Sequence, residues 1–286
     1  MDCHPRGGRL RGMTSSPSGH QRKTADEYWR DYLSNRDNAE PMRRMMQRIP
    51  STPRCKLCAA PFGTPGGLVL RYLGFGPWQP NASICRMCIR SVADQQGGAE
   101  IALSILFADI RDSTTTAERM SPAEFRKLLG HFYQAATRAV DGEGGIVDKF
   151  VGDGIIALFI PGFVGHEHAR HAIAAARTLQ AAVMDPASRL VGLPIGIAVH
   201  TGVAWVGAVG GGGQQLDFTA LGDPVNTAAR LSSVAGPGEL LVSADAALAA
   251  DWRPDGAERR TLDLKGKSQP VDAWVVRAAA LEGASA

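Results

Sequence analysis

The later part of the chain alternates between two hydrophobic rhythms. Residues 101–108 are almost continuously apolar, the pattern of a strand buried on both faces, and the run ends at Asp109. A capping box follows at Ser121 and Glu124, with Pro122 at the first helical position. Phe125, Leu128, Leu129 and Phe132 then recur at i, i+3, i+4 and i+7, which predicts a helix with one apolar face. Two β-like runs, 145–150 and 155–160, flank Gly152-Asp153-Gly154, a hairpin-turn signal. A second helix is expected over 166–184, with Ala172, Ile173, Ala176, Leu179 and Val183 inward, and a strand over 194–200. The order β-α-β-β-α-β is that of the split ferredoxin-like unit, an α+β fold with helices on one face of an antiparallel-rich sheet. Further strands are expected at 203–209, 216–221, 239–243, 262–264 and 271–277, with a Gly-rich loop at 210–213. A helix opens at Asp223 and Pro224, a good N-cap and first residue.

Ahead of residue 100 the rhythm is weaker. Residues 1–23 are rich in Gly, Ser, Arg and Pro without periodicity and are expected to be disordered. Residues 24–50 form a helical segment: Thr24 caps a helix carrying Tyr28, Trp29, Tyr32 and Leu33, Pro41 interrupts it, and 42–48 continue. Two Cys-x-x-Cys pairs, Cys55/Cys58 and Cys85/Cys88, are separated by 26 residues of loop-like, Gly- and Pro-rich sequence. Four thiolates close a tetrahedral site, and a segment this small needs such a staple. Zinc, an iron–sulfur cluster and an unmetallated redox role all fit this spacing. The chain therefore divides into a four-cysteine module (51–92), a linker (93–99), a larger domain (100–278) and a tail (279–286).

Composition narrows the function classes. The formal net charge of 286 residues is only +3, which argues against nucleic acid as a partner. There is no apolar run long enough for a membrane span and no apolar leader at the basic N-terminus. All five cysteines precede residue 90, a local thiol module in a reduced, cytoplasmic pattern rather than a disulfide framework.

Asp109 at a strand end and Asp153 on a hairpin tip can converge if their strands pair, because neighbouring strands lie about 4.8 Å apart. Two carboxylates with open space above them suit a pair of divalent cations bridged to a phosphate substrate; two solvated turn aspartates are the plainer alternative. Asn226 and Arg230 are i and i+4 on the helix after Pro224, so an amide and a guanidinium share a face suited to ribose and phosphate. His166, His168 and His171 crowd one helix start, expected to be a solvated terminus.

These pieces together resemble the catalytic domain of class III nucleotidyl cyclases, the adenylyl and guanylyl cyclases, over roughly residues 98–278. The matching motifs are Phe107-Ala-Asp109-Ile110, Lys149-Phe-Val-Gly-Asp153, Thr219-Ala-Leu-Gly-Asp-Pro-Val-Asn226-Thr-Ala-Ala-Arg230 and Leu264-Lys265-Gly266-Lys267. The resemblance implies that Asp109 and Asp153, helped by the Ile110 carbonyl, hold two Mg²⁺ or Mn²⁺ ions. It implies that Asn226 orients the ribose, that Arg230 meets charge on the α-phosphate, and that Lys265 contacts the triphosphate, with backbone N–H groups of 110–114 assisting. Lys149 and Thr219 look like the base-selecting pair of an adenylyl cyclase subgroup that includes bicarbonate-responsive enzymes. Guanylyl members typically carry Glu at the Lys149 position, so ATP is the expected substrate and cyclic AMP with pyrophosphate the products. A guanylate cyclase and a catalytically silent nucleotide-binding module are the alternatives. Family sites form between two catalytic domains, which implies a head-to-tail homodimer; the layout, with the N-terminal module feeding directly into the first catalytic strand, suggests regulation through that module. One departure is Ser113-Thr114 where the family often has Phe-Thr, with Asp112 adding negative charge beside the phosphate loop.

Overall fold

The computed structural model describes residues 24–35, 41–79, 81–94, 97–210, 216–254 and 257–277. The expectations for 1–23, for most of the Gly-rich 210–213 loop and for the tail fall outside these residues. Helix α1 (Ala25–Ser34) opens with the expected Thr24 cap, here a full capping box with Glu27. Helix α2 (Pro41–Gln47) follows. The spacer between the cysteine pairs is not all loop: α3 (Gly66–Leu70) runs into a short π-helical turn at Arg71–Phe75. The second cysteine pair starts α4 (Arg86–Asp94), and β1 (Gly98–Ile110) begins soon after. Residues 93–99, expected as a linker, are thus partly helix and partly strand.

Next come α5 (Ser113–Glu118), α6 (Pro122–Gly142), the hairpin β2 (Ile146–Val151) and β3 (Gly154–Phe159), α7 (Pro161–Val164) and α8 (His168–Met184). The chain then forms β4 (Ile195–Val209), β5 (Asp217–Leu221), α9 (Asp223–Val234), β6 (Glu239–Ser243), α10 (Ala244–Ala249), β7 (Glu258–Leu262) and β8 (Val271–Arg277). The α6 box pairs Ser121 with Glu124 as expected. Two separate strands at 194–200 and 203–209 are corrected to the single strand β4. It does not break at Thr201-Gly202 because β1 pairs with it along its whole length, Ser104 opposite Thr201 and Leu103 opposite Gly202. A Cβ on Gly202 would lie 2.7 Å from Pro224 Cγ, so glycine there lets the start of α9 press onto the strand.

The sheet order is β2-β3-β1-β4-β6-β8-β7, with β5 added alongside β4. Its first four strands are the antiparallel ferredoxin-like set, and β6 joins β4 in parallel. Helices on one face alone needs correction as well. Ile197, Val199, Leu240 and Val242 pack into the core shared with α8 and α10. The alternate residues Ala198 and Leu241 pack with Leu231 and Ala235 at the α9 end, a separate cluster on the opposite face.

The N-terminal elements are not tethered beside this domain; they share its core. Trp29, Leu33, Leu57, Ile84 and Ile89 belong to the same buried cluster as Ile101 and Leu103 of β1. At Gly162 in α7 a Cβ would sit 2.4 Å from the Tyr32 carbonyl oxygen, so α1 lies directly on the backbone of the larger domain. Lys56 beside the first knuckle faces Asp141 of α6 at 3.7 Å. The histidine expectation is overturned for two of the three residues. His168 is buried, its Nδ1 2.9 Å from Ser104 Oγ, and His171 pairs with Glu143 at 2.7 Å.

Candidate active site

The pairing of β1 with β3 sets Asp109 opposite Gly154, the residue after Asp153. The Ile110 N–H donates to the Asp153 carbonyl at 3.2 Å, so strand end and hairpin tip are stitched together. The two carboxylates therefore share one end of the sheet, as the sequence suggests. Tyr133 of α6 steadies the tip, its hydroxyl donating to the Gly152 carbonyl and its ring 4.3 Å from that of Phe150. Asp109 Oδ2 accepts from Ser232 Oγ of α9 at 3.1 Å. Its Oδ1 is buried, has no hydrogen bond of proper geometry and faces the Arg111 guanidinium. Burial pulls Arg111 down, opposed by the charges of Asp153 and Asp112, so this one cation stands among three carboxylates. A hard oxygen donor set whose buried carboxylate oxygen meets only the Arg111 cation and makes no hydrogen bond fits divalent cations. Asp112 is exposed, in left-handed backbone at φ 51°, and leads straight into α5.

Asn226 and Arg230 share a face of α9 as their spacing requires. Asn226 is exposed, and the Arg230 guanidinium lies against Gly266 of the Lys265-Gly266-Lys267 turn. Lys265 is exposed, whereas Lys267 latches the turn to the start of α9 by donating to Asp223 Oδ2 at 2.6 Å. Ser232 is two residues from Arg230, about 200° around a helix. The face of α9 that touches Asp109 is therefore the face turned away from Asn226 and Arg230.

Lys149 and Thr219 come together through residues that the sequence reading missed. Lys149 Nζ donates to Asp217 Oδ2 at 2.8 Å and lies 3.8 Å from Asp148 Oδ2, while Thr219 Oγ1 donates to that same Asp148 oxygen at 2.9 Å. The charges of Asp217 and Asp148 outweigh burial and hold Lys149 above its usual range; burial pushes Asp148 up to about 6. Arg111, Ser232 and Asp148 carry no family-like spacing of their own. An acid directly beside Lys149 was the one visible hint.

The four cysteine sulfurs lie within 4.8 Å of one another, with Cys58 and Cys85 Sγ 3.7 Å apart. A tetrahedral zinc–thiolate site has S···S edges of about 3.8 Å. The Cys85 N–H donates to Cys55 Sγ and the Cys88 N–H to Cys85 Sγ, both at 3.3 Å. Burial pushes the Cys55 thiol up, and hydrogen bonds from Cys55, Cys58 and Cys88 pull Cys85 down. Among the described residues no helix is long and apolar enough to cross a membrane.

Comparison with known proteins identifies the family of the larger domain. Residues 98–277 match the adenylate and guanylate cyclase catalytic domain family. An adenylate cyclase of Anabaena cylindrica is 28% identical over 217 residues, 71% of this chain and 43% of its own length. Adenylate cyclase 1 of Rhizobium meliloti is 31% identical over 61% of this chain and 27% of its own, so the chain spans well under half of either relative. Among solved structures, the guanylyl cyclase Cya2 has a TM-score of 0.53 at 27% identity, covering 65% of this chain and 98% of that one. The adenylyl cyclase CyaB from P. aeruginosa has a TM-score of 0.52 at 27% identity, covering 63% and 96%. With residues 98–277 matching its model and the fold shared with solved cyclases, the chain belongs to the adenylate and guanylate cyclase catalytic domain family.

Proposed function

We propose that the protein is an adenylate cyclase that converts ATP to 3′,5′-cyclic AMP and pyrophosphate at sites shared between two copies of the chain. The observation that carries the shared site is the two-faced helix α9. Ser232 faces Asp109, so Asn226 and Arg230 point away from the metal-binding carboxylates of their own chain. A twofold dimer, head to tail, brings the second chain's α9 face to the first chain's Asp109 and Asp153.

Two Mg²⁺ or Mn²⁺ ions, held by Asp109, Asp153 and the Ile110 carbonyl, would supply Lewis-acid activation of the ribose hydroxyl and charge neutralisation on the triphosphate. The chain does the rest by positioning. Asn226 orients the ribose, so its 3′-oxygen lies in line with the α-phosphorus. Arg230, propped against the Gly266 turn, places a fixed guanidinium where negative charge grows on the α-phosphate. Lys265 meets the departing pyrophosphate. Lys149 donates to a ring nitrogen of adenine, and Thr219 belongs to the acceptor side of the base pocket.

The four-cysteine cluster is best read as a structural zinc site, since its sulfur spacing suits a closed tetrahedron. The Asn81 loop between the two cysteine pairs donates to the Val147 carbonyl of β2, which supports a regulatory role for the module. The reading is tested by offering ATP and GTP separately to purified protein with Mg²⁺ or Mn²⁺ and assaying bound zinc on the same sample. Cyclic AMP from ATP, lost in Asp109→Ala, is the expected result; a dimeric, metal-replete sample that cyclises neither nucleotide overturns it. Bicarbonate at fixed pH is the companion test of the Lys149–Thr219 subgroup, for which stimulation is expected.

A further inference from the structure

Strand alternation would send Asp148 and Lys149 to opposite faces of the sheet. They do not go there. Val147 pairs with Ala157 and Lys149 with Ile156, so Asp148 is an extra residue with no partner on β3. Such a bulge re-aims side chains, and here it sets the Asp148 carboxylate 3.8 Å from Lys149 Nζ. The carboxylate is only 7% exposed. One oxygen accepts from Thr219; the other, Oδ1, is buried without any partner. Asp148, Lys149 and Asp217 line one cleft of about 490 Å³.

A buried carboxylate oxygen without a donor is costly, and native proteins leave few of them. Asp148 is among the residues lining the cleft, so a ligand N–H entering there is the kind of donor this oxygen lacks. The Thr219 bond adds a second constraint. An ionised carboxylate only accepts, so the Thr219 hydroxyl must spend its proton on Asp148 and offer lone pairs alone to anything else. Lys149, itself held by Asp217, is thus a donor beside two further acceptors, Asp148 and the Thr219 hydroxyl bonded to it.

We propose that Asp148 is a specificity-determining residue of the nucleotide site: it fixes the Thr219 hydroxyl as an acceptor and takes a hydrogen bond from the exocyclic amine of adenine on its own free oxygen. With Lys149 on the ring nitrogen, the 6-amino group meets Asp148 and Thr219. Guanine in the same seat turns its N1–H to the Lys149 ammonium and its O6 to the two acceptors, and both contacts repel. This inference rests on the ATP reading.

The test compares kcat/KM for ATP, GTP and purine riboside triphosphate, which lacks the 6-amino group, in the full-length protein and in Asp148→Asn. Wild type is expected to favour ATP over both. In Asp148→Asn the preference for ATP over the amine-less analogue should shrink about tenfold or more, since a site built to accept a hydrogen bond discriminates strongly against its absence. Equal losses on ATP and on the analogue would make Asp148 a merely structural residue and overturn the proposal while the ATP reading stands. Wild type that favours GTP overturns both. Should Asp148→Asn fold poorly, the unaltered protein still decides. Facing Asp148 are Thr219, Lys149 and Asp217, with burial dominant, so its carboxylate takes up a proton near pH 6. The preference for ATP over the analogue should therefore decline below that pH, and a flat ratio overturns the proposal.

Discussion

Arg111 lies against Asp109, its Nη2 facing the buried Oδ1, while its Nη1 donates to the Ser233 carbonyl at 2.9 Å. A side chain on the loop after β1 thereby bridges the carboxylate at the strand end to the end of α9. The guanidinium stands where a divalent cation would otherwise balance Asp109 and Asp153. On the two-metal reading proposed above, cation loading and the Arg111 contact compete for the same carboxylate oxygen.

Arg111→Gln should therefore bind divalent cations more tightly. The expected gain is about fivefold in Mn²⁺ affinity, a coupling of roughly 1 kcal/mol. It is read directly by magnetic resonance of the bound ion, without relying on turnover. Unchanged or weaker Mn²⁺ binding would show that Arg111 supports the site rather than competing for it.

The opposed faces of α9 make a sharper claim about assembly. Asp109→Ala and Asn226→Ala should each be inactive alone. Mixed after dissociation in equal amounts, half the dimers are hybrids, and each hybrid holds one intact site of two. Activity should return to about a quarter of wild type. No recovery from a sample shown to exchange subunits would sink the shared site.

Periodicity made the split β-α-β-β-α-β unit legible because each element has a strong local signature: the Ser121–Glu124 box, the apolar stripe from Phe125 to Phe132, and the Gly152-Asp153-Gly154 turn. The meeting of Asp109 and Asp153 was legible for the same reason, being a consequence of strand order. What local pattern hides is anything set by pairing register. The bulge at Asp148 depends on β3 offering no partner, and β4 runs through Thr201-Gly202 because β1 is long enough to hold it. Nor does composition reveal that Trp29 and Leu33 fill the same core as β1; an aromatic stripe at helical spacing fits any partner surface.

His168 links stability to pH. It is buried, bonded to Ser104, and burial with the nearby His166 brings it down to about 4 from an ordinary 6.5. Between those values the unfolded chain binds a proton that the folded chain does not. Stability therefore rises with pH across this window, and its loss on acidification is complete only below about 4. The full effect is at most about 3 kcal/mol. Asp148 runs the other way: raised to about 6, it holds a proton in the fold that the unfolded chain has lost, so its contribution falls as pH rises from about 4 to 6. The two slopes oppose and partly cancel in wild type. In His168→Gln stability should rise less, or fall more, than in wild type as pH goes from 4 to 6. Denaturant midpoints across that range check it; identical pH profiles for wild type and His168→Gln would remove the assignment.

The cysteine module reaches the Asp148–Lys149 cleft through Asn81. The Asn81 amide donates to the Val147 carbonyl at 2.9 Å, capping the exposed edge of β2 one residue before Asp148. The loop that carries Asn81 rests on the first knuckle, with the Lys56 N–H donating to Ser83 at 2.8 Å and Ile84 closing the turn onto Asn81. On the zinc reading proposed above, stripping metal from the four thiols should loosen this loop and with it the bulged edge that aims Asp148 and Lys149. The expected signature is a rise in KM for ATP of about fivefold, the worth of one hydrogen bond, with a smaller change in kcat. Asn81→Ala cuts the same connection with the metal in place and should raise KM similarly. In that variant metal removal should add little more, because both changes break one path. Fully additive effects would place the coupling elsewhere, with the Lys56–Asp141 contact to α6 as the remaining bridge.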